Sequence, residues 1–279
     1  MSLGYLRYRL TQRLSEGLPR RAALRLAERL ADGWWAWSSR DRAAVEENLS
    51  RIRGSAAPRT MSREVFRNFG RYLVEFFTMH EEPPAAVQVE GGRHLEEAQR
   101  RGRGAIVLTG HLGNWELGAA VIRRMGRPMS IVALRHADPR LDALFTRQRL
   151  RCALEVIAVG EGAAQRSLMR LRQGGLVGLL GDREFGRHGV AVTWFGRRAI
   201  LPQGPALLSL RSQAPIVPSF LLREDAGRFR LCVEPPIWPD AALRARAGAA
   251  EALTRAYGAV VERYIQQVPT QWLMFQPVT

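Results

Sequence analysis

Lysine is missing from this chain. All 42 of its basic residues are arginine, set against 26 acidic ones, and the formal net charge is +16 over 279 residues. Permanent positive charge on that scale favours anionic partners: nucleic acid, acidic lipid headgroups or phosphorylated substrates. Cysteine is nearly absent, and Cys152 and Cys232 stand far apart in no zinc or redox spacing, which argues against a disulfide framework. Long apolar runs are missing too. Apolar-rich uncharged stretches such as those between Arg103 and Glu116 and from Ala199 to Leu210 fall well short of the ~18 residues that a membrane span requires. Arginines interrupt every apolar run before Trp34, so nothing resembles a secretory leader. The chain also lacks G-x-S-x-G, a P-loop, H-E-x-x-H and a complete G-x-G-x-x-G, which removes the usual support for a serine hydrolase, a nucleotide triphosphatase or a zinc protease.

What is present suffices for a large core, since 46% of the residues are hydrophobic. Residues 1–82 read as helical. Leu3, Leu6, Leu10 and Leu14 recur at three- and four-residue intervals among Arg7, Arg9 and Arg13, and a second stripe runs through Leu24 and Leu30 to Trp34, Trp35 and Trp37. Two readings of these stripes stand side by side. One is a basic amphipathic anchor with tryptophans at the headgroup level of a bilayer. The other is ordinary packing on the rest of the molecule; the first fourteen residues, being terminal, favour membrane contact.

Glu82, Pro83 and Pro84 mark a break, and residues 83–279 form the second expected unit. Strand-like runs near 105–109, 129–134, 154–158, 176–181, 190–195, 215–221 and 229–234 alternate with helical patterns near 114–126, 139–151, 161–173, 203–212 and 241–267. That alternation predicts an α/β fold: a central, mostly parallel sheet flanked by helices, preceded by N-terminal amphipathic helices.

The chemistry concentrates at strand ends, where sites collect in open α/β sheets. After the strand Ala105–Thr109 come Gly110, His111, Gly113, Asn114 and Glu116, with Asn114 as the N-cap of the next helix. Residues five apart on one helix point roughly 140° away from each other. His111 and Glu116 therefore meet only if the histidine lies on the turn and the glutamate in the first helical turn, where the helix dipole holds it ionised. Such a carboxylate fixes the tautomer of a histidine acting as general base. Arg135 follows a second strand. Asp182 and Arg183 follow a third, with Asp182 expected to hold Arg135 or Arg183, or to contact a substrate. Asn114, Arg135, Asp182 and Arg183 complete the expected binding set, while Phe185, Val192, Trp194 and Phe195 are apolar lining candidates.

These blocks occur in order: His-x4-Glu after a strand, the Arg135 turn, Asp182-Arg183 followed by Gly189-Val-x-Val, the helix start at Pro202-x-Gly204-Pro205-Ala206, and the Val217-Pro218 strand. Together they resemble the bacterial lipid A biosynthesis (lauroyl/myristoyl) acyltransferase family, whose wider group includes phosphatidylinositol mannoside acyltransferases. The resemblance runs from about residue 40 to Trp272. It implies a glycerolipid-acyltransferase-like α/β sandwich and acyl transfer to a glycolipid hydroxyl from an acyl carrier protein or coenzyme A thioester. It further implies a His111–Glu116 dyad, with Arg135 and Asp182 in the pocket, and neither metal nor prosthetic group. A peripheral position on the anionic cytoplasmic face of a bacterial inner membrane follows from it. Family members of the lipid A branch open on a spanning helix, and this chain offers only amphipathic stretches. A competing class is a basic nucleic-acid-binding protein, or a non-catalytic membrane-surface protein. No recognition-fold signature supports the first, and its arginines are spread along the chain rather than gathered in one stripe.

Overall fold

The computed structural model describes residues 3–81, 87–184, 186, 189–224, 227–239 and 247–278. The chain opens with α1 (Leu3–Gly17), α2 (Arg20–Trp37), α3 (Ser39–Arg53) and α4 (Arg59–Thr78). Their limits follow local chemistry. Ser38 accepts the Asp41 N–H at the start of α3, Gly54 ends that helix in the left-handed conformation, and Pro19 and Pro58 precede α2 and α4. After β1 (Val87–Glu90) and α5 (Arg93–Arg100), the chain alternates β2 (Ala105–Thr109), α6 (Trp115–Arg124), β3 (Met129–Ala133), α7 (Pro139–Arg151), β4 (Glu155–Ala158), α8 (Ala163–Arg172) and β5 (Leu176–Leu180). It closes with β6 (Gly189–Trp194), β7 (Arg197–Pro202), α9 (Gly204–Ser212), β8 (Ile216–Arg223), β9 (Phe229–Val233) and α10 (Ala249–Gln267).

Among the described residues seven strands form one sheet in the order β1-β9-β8-β2-β5-β3-β4. The five strands from β8 to β4 are parallel, and β9 pairs antiparallel with β8. These strands are apolar on both sides because helices cover both faces of the sheet. Ala105 and Val107 of β2 enter a core with α4, α6 and α7, whereas Ile106 and Leu108 enter a second core with α8, α9 and α10. Both cores are continuous, and the first includes Val45, Val65 and Phe76 from the leading helices.

The alternation expected from the sequence is therefore present. Three elements were not foreseen. β1 is almost fully exposed and carries no apolar run, while α5 is short. The run at 190–195 is half of a separate hairpin, β6–β7, instead of a strand in the main sheet. Its two-residue turn, Phe195 and Gly196, has positive φ at both positions (50° and 71°), the geometry that matches the twist of a tight hairpin.

The tryptophans divide. Trp34 stacks on Phe275 with ring centroids 4.7 Å apart, and the Trp35 indole donates to Ser62 Oγ at 2.9 Å, so these two pack as core. Trp37 is 95% exposed. No helix of the described residues is long and apolar enough to cross a membrane. The proline break at 82–84 and the segment 241–246 lie outside the described residues.

Candidate functional site

His111 is delivered by the loop between β2 and α6, and two glycines shape that loop. A Cβ at Gly110 would sit 3.1 Å from Asp182 Oδ2, so the missing side chain lets the carboxylate close on the loop. Gly113 has φ of 63°, and a Cβ there would lie 2.0 Å from the Leu221 carbonyl oxygen, which only glycine avoids. Asn114 then caps α6, its Oδ1 accepting the Leu117 N–H at 3.0 Å. Its Nδ2 donates to Glu75 Oε2 at 2.8 Å, so the buried Asn114 side chain is engaged in structure on both ends.

The acidic partner of His111 is Asp182, at the end of β5. His111 Nδ1 lies 2.9 Å from Asp182 Oδ1, and the His111 backbone N–H donates to Oδ2 at 2.7 Å. The Trp272 indole N–H also donates to Oδ2, at 2.9 Å. Burial by itself pushes the Asp182 carboxyl up, but the His111 charge and these three donors outweigh it and hold the group below the ordinary aspartate value. An ionised Asp182 can only accept, so the His111 proton resides on Nδ1 and Nε2 carries the lone pair. Nε2 has no partner among the described residues.

Glu116 occupies the first turn of α6 as its spacing requires, but its oxygens turn to Arg149 of α7, at 2.5 Å from Nη2 and 3.2 Å from Nε. Both partners are almost fully buried. Burial lowers the Arg149 guanidinium value, yet Glu116 more than compensates and the group stays firmly charged. His111 and Glu116 are thus not hydrogen-bonded to each other. Asp182 in turn holds His111, where the sequence reading gave it an arginine or a substrate.

His111, Glu116 and Arg149 line one cavity of about 810 Å³, large enough for a sizeable organic ligand. Arg183 and Glu184 line it as well, and the Arg183 guanidinium donates to the Gln276 side chain. Arg135 is exposed and lies outside the lining, although its neighbours Leu134 and His136 belong to it. Val192 and Trp194 sit on the separate hairpin, where Trp194 donates to the Gly258 carbonyl within the second core, and Phe195 packs with it. Phe185 lies outside the described residues. The apolar walls come instead from β2, β3, β5, α6 and Tyr72 of α4, whose ring stacks on Trp115 at 4.4 Å. Thr109 Oγ1 is a further polar group on this wall, buried and without a partner among the described residues.

Sequence reasoning missed Arg149, Trp272 and the buried Glu75. The first two lie 33 and 90 residues from the groups they serve, beyond any local spacing. Trp272 belongs to a C-terminal strap that clamps the histidine loop. Leu273 N–H donates to the His111 carbonyl at 2.7 Å, and Gly113 N–H donates to the Gln271 carbonyl at 3.0 Å. Asn48 fixes the strap from behind, donating to the carbonyls of Met274 (3.1 Å) and Gln276 (2.9 Å). Glu75 is paired with Arg223 of β8 at 2.5 Å while accepting from Asn114, so it ties α4, α6 and β8 together behind the loop.

The family model described as "Bacterial lipid A biosynthesis acyltransferase" matches residues 10–278. Among named relatives, the chain is similar to a phosphatidylinositol mannoside acyltransferase of Mycobacterium tuberculosis (strain CDC 1551 / Oshkosh), with 30% identity over 250 residues, 84% of this chain and 75% of that protein. A phosphatidylinositol mannoside acyltransferase of Mycolicibacterium smegmatis is 27% identical over 243 residues, 84% of this chain and 78% of the relative. A lipid A biosynthesis palmitoleoyltransferase of Escherichia coli (strain K12) is 27% identical over 222 residues, 76% of this chain and 69% of the relative.

Proposed function

Because the chain belongs to the bacterial lipid A biosynthesis acyltransferase family, we propose that it moves a fatty acyl group from an acyl carrier protein or coenzyme A thioester to a hydroxyl of a membrane glycolipid. The observation that carries this reading is His111, held by the buried Asp182 behind it, at the wall of a mainly apolar cavity. His111 Nε2 takes the proton of the acceptor hydroxyl as its oxygen attacks the thioester carbonyl carbon. The tetrahedral intermediate collapses, the C–S bond breaks, and the protonated imidazole returns its proton to the departing thiolate. Asp182 stabilises the imidazolium in between and fixes its orientation, a role that general-base catalysis makes worth ~10²–10⁴-fold. Glu116 keeps Arg149 in place on the cavity wall, so its part is to position a cation near the reacting groups.

The relatives named for phosphatidylinositol mannoside align with 84% of this chain, against 76% for the lipid A enzyme. That favours a phosphorylated, glycosylated diacyl acceptor of the former kind. Membrane association is peripheral in this reading. Tyr5, in the first turn of α1, lies 5.1 Å below Arg140 in the first turn of α7. Trp34, in the last turn of α2, stacks on Phe275, two residues beyond Leu273 on the His111 carbonyl. Both helix ends therefore lie at the His111 end of the sheet. Exposed Leu6, Leu10, Leu30 and Trp37, interleaved with arginines, suit an acidic bilayer surface there.

The test is to incubate the purified protein with radiolabelled acyl thioesters and a lipid extract, with His111→Ala as control, and to identify the product by mass. Label in a glycolipid that disappears with His111→Ala supports the reading. Transfer that persists in the variant, or no transfer from either donor, overturns it.

A further inference from the structure

The sheet parts beside His111. The β3–β5 ladder ends at Ile131–Gly178, whereas β2–β5 pairing continues to Thr109–Leu180 and β3–β4 pairing to Ala133–Ala158. Beyond Ile131 and Gly178, each strand follows its outer neighbour and the two central strands separate. The cavity occupies that fork and reaches both faces of the sheet, because its lining includes Ile131 and Gly178 on one face and Val132 and Leu179 on the other. Two arms result. The deep arm runs beneath α6, past Val107, Gly118 and Ala119 to Ile122, Met129 and Leu231. Gly178 keeps it open, since a Cβ there would lie 2.8 Å from Met129 Cε. The second arm crosses to the α9 side, where Val132 and Leu179 pack beside the second core and Leu207, Pro202 and Pro205 form the far wall. It opens outward at Leu134 and Val159, which are 44% and 46% exposed.

We propose that the second arm is a binding site for an alkyl chain already carried by the acceptor, while the deep arm receives the acyl chain of the donor. This rests on the acyltransferase reading and deepens it by giving the acceptor its own apolar subsite. A donor thioester brings one chain, which must leave water along its length once its carbonyl reaches Nε2; the enclosed arm under α6 does that. The open arm suits a chain that remains continuous with a lipid phase outside, and its exposed lip at Leu134 and Val159 lies at the end of the sheet where such a phase would meet it. Two chains entering from opposite sides of the fork bring thioester and hydroxyl together over His111. A chain lying in this arm covers the apolar walls that a bare headgroup would leave facing water, so the arm selects acylated acceptors over bare headgroups.

Two measurements on the full chain decide it. In the first, phosphatidylinositol mannoside with a diazirine near the end of one chain is photolysed on the protein, in parallel with a diazirine fatty acyl-coenzyme A. The acceptor probe is expected to label Val159, Leu179 or Leu207, and the donor probe Ile122, Met129 or Leu231. Acceptor labelling on α6, or nowhere on the protein, overturns the proposal. In the second, Leu207→Trp and, at the exposed lip, Val159→Trp are expected to raise KM for the two-chain acceptor at least ten-fold more than KM for its deacylated headgroup. Equal changes for both acceptors overturn it. If the unaltered protein acylates neither acceptor, the acyltransferase assignment for this acceptor class fails, and the labelling pattern still decides whether the arm holds an alkyl chain.

Discussion

His111 and Asp182 meet through two atoms each: Nδ1 with Oδ1 at 2.9 Å, and the backbone N–H with Oδ2 at 2.7 Å. The second contact matters as much as the first. It fixes the carboxylate to the backbone of the residue whose ring it orients, so rotation of the imidazole cannot carry the carboxylate along. Asp182→Asn preserves shape but presents an amide that can no longer stabilise an imidazolium. Acyl transfer is expected to fall by ~10²–10⁴-fold in kcat, with circular dichroism unchanged. Turnover within three-fold of the unaltered enzyme would remove Asp182 from the proton relay.

The same carboxylate gives an acid signature. Its folded value lies below its unfolded one, so it stabilises the fold above the ordinary aspartate range and that contribution is lost as pH falls through the lowered folded value. Asp32, held down mainly by hydrogen bonds from Arg67 and Arg63, and Glu155, held down mainly by Arg170, share this sign. Unfolding free energy should therefore drop as pH falls through and below the ordinary carboxylate range, and less steeply in Asp182→Asn. Parallel slopes in urea titrations across that window would contradict the assignment.

Glu116 and Arg149 form a buried pair whose value lies in position more than stability. Removing one partner leaves the other charge stranded, which costs about 3–5 kcal/mol, while replacing both with apolar groups is often neutral. Glu116→Gln retains an acceptor and should cost about 2–3 kcal/mol. The double variant Glu116→Leu with Arg149→Met is expected to recover most of that stability without recovering the acyl-transfer rate. Denaturant midpoints and single-turnover rates measured on the same samples separate the two effects.

How far the sequence exposed this site depends on the range of each interaction. The β2 strand, the Asn114 cap, the placement of Glu116 in the first turn and the helix at Pro139 are set by residues a few positions apart, so periodicity and capping signals reveal them. The identity of the partner of His111 is not local. Glu116 lies near in sequence but its oxygens are drawn to Arg149, and Asp182 reaches His111 only because β5 pairs with β2 in register, Leu180 beside Thr109. Two choices that the sequence left open were decided by such remote partners. Trp34 and Trp35 resembled a bilayer belt until Phe275 and Ser62, which are remote in sequence, supplied their partners. Trp194 and Phe195 resembled cavity lining, but the tight turn at Phe195 and Gly196 folds them into a hairpin against α10.

Trp272 tests the strap. Trp272→Phe keeps an aromatic ring near Trp194 and Phe195 but removes the N–H aimed at Asp182. A hydrogen bond to a charged acceptor contributes about 1.5–3 kcal/mol. Stability should fall by about that amount, and the pH profile of kcat should shift because Asp182 loses one of its donors. A stability loss with an unmoved pH profile would mean that Trp272 only packs.

The exposed end of α2 separates a bilayer-binding protein from a nucleic-acid-binding one. Trp37 is 95% exposed, so Trp37→Ala should change stability by no more than about 0.5 kcal/mol. Arg25 and Arg29 are exposed on the same helix. Reversing both to glutamate removes about 2 kcal/mol or more of attraction to an anionic surface, which is roughly thirty-fold in partition. Sedimentation with vesicles rich in acidic phospholipid should weaken in both variants, and the loss in Arg25→Glu with Arg29→Glu should vanish at high salt, where the unaltered protein also releases. Trp37→Ala acts on apolar insertion, so the fold-loss it causes should be the same at every ionic strength at which the unaltered protein still sediments. Salt-sensitive binding to an oligonucleotide that survives Trp37→Ala, together with no sedimentation with vesicles, would turn the positive charge towards nucleic acid instead.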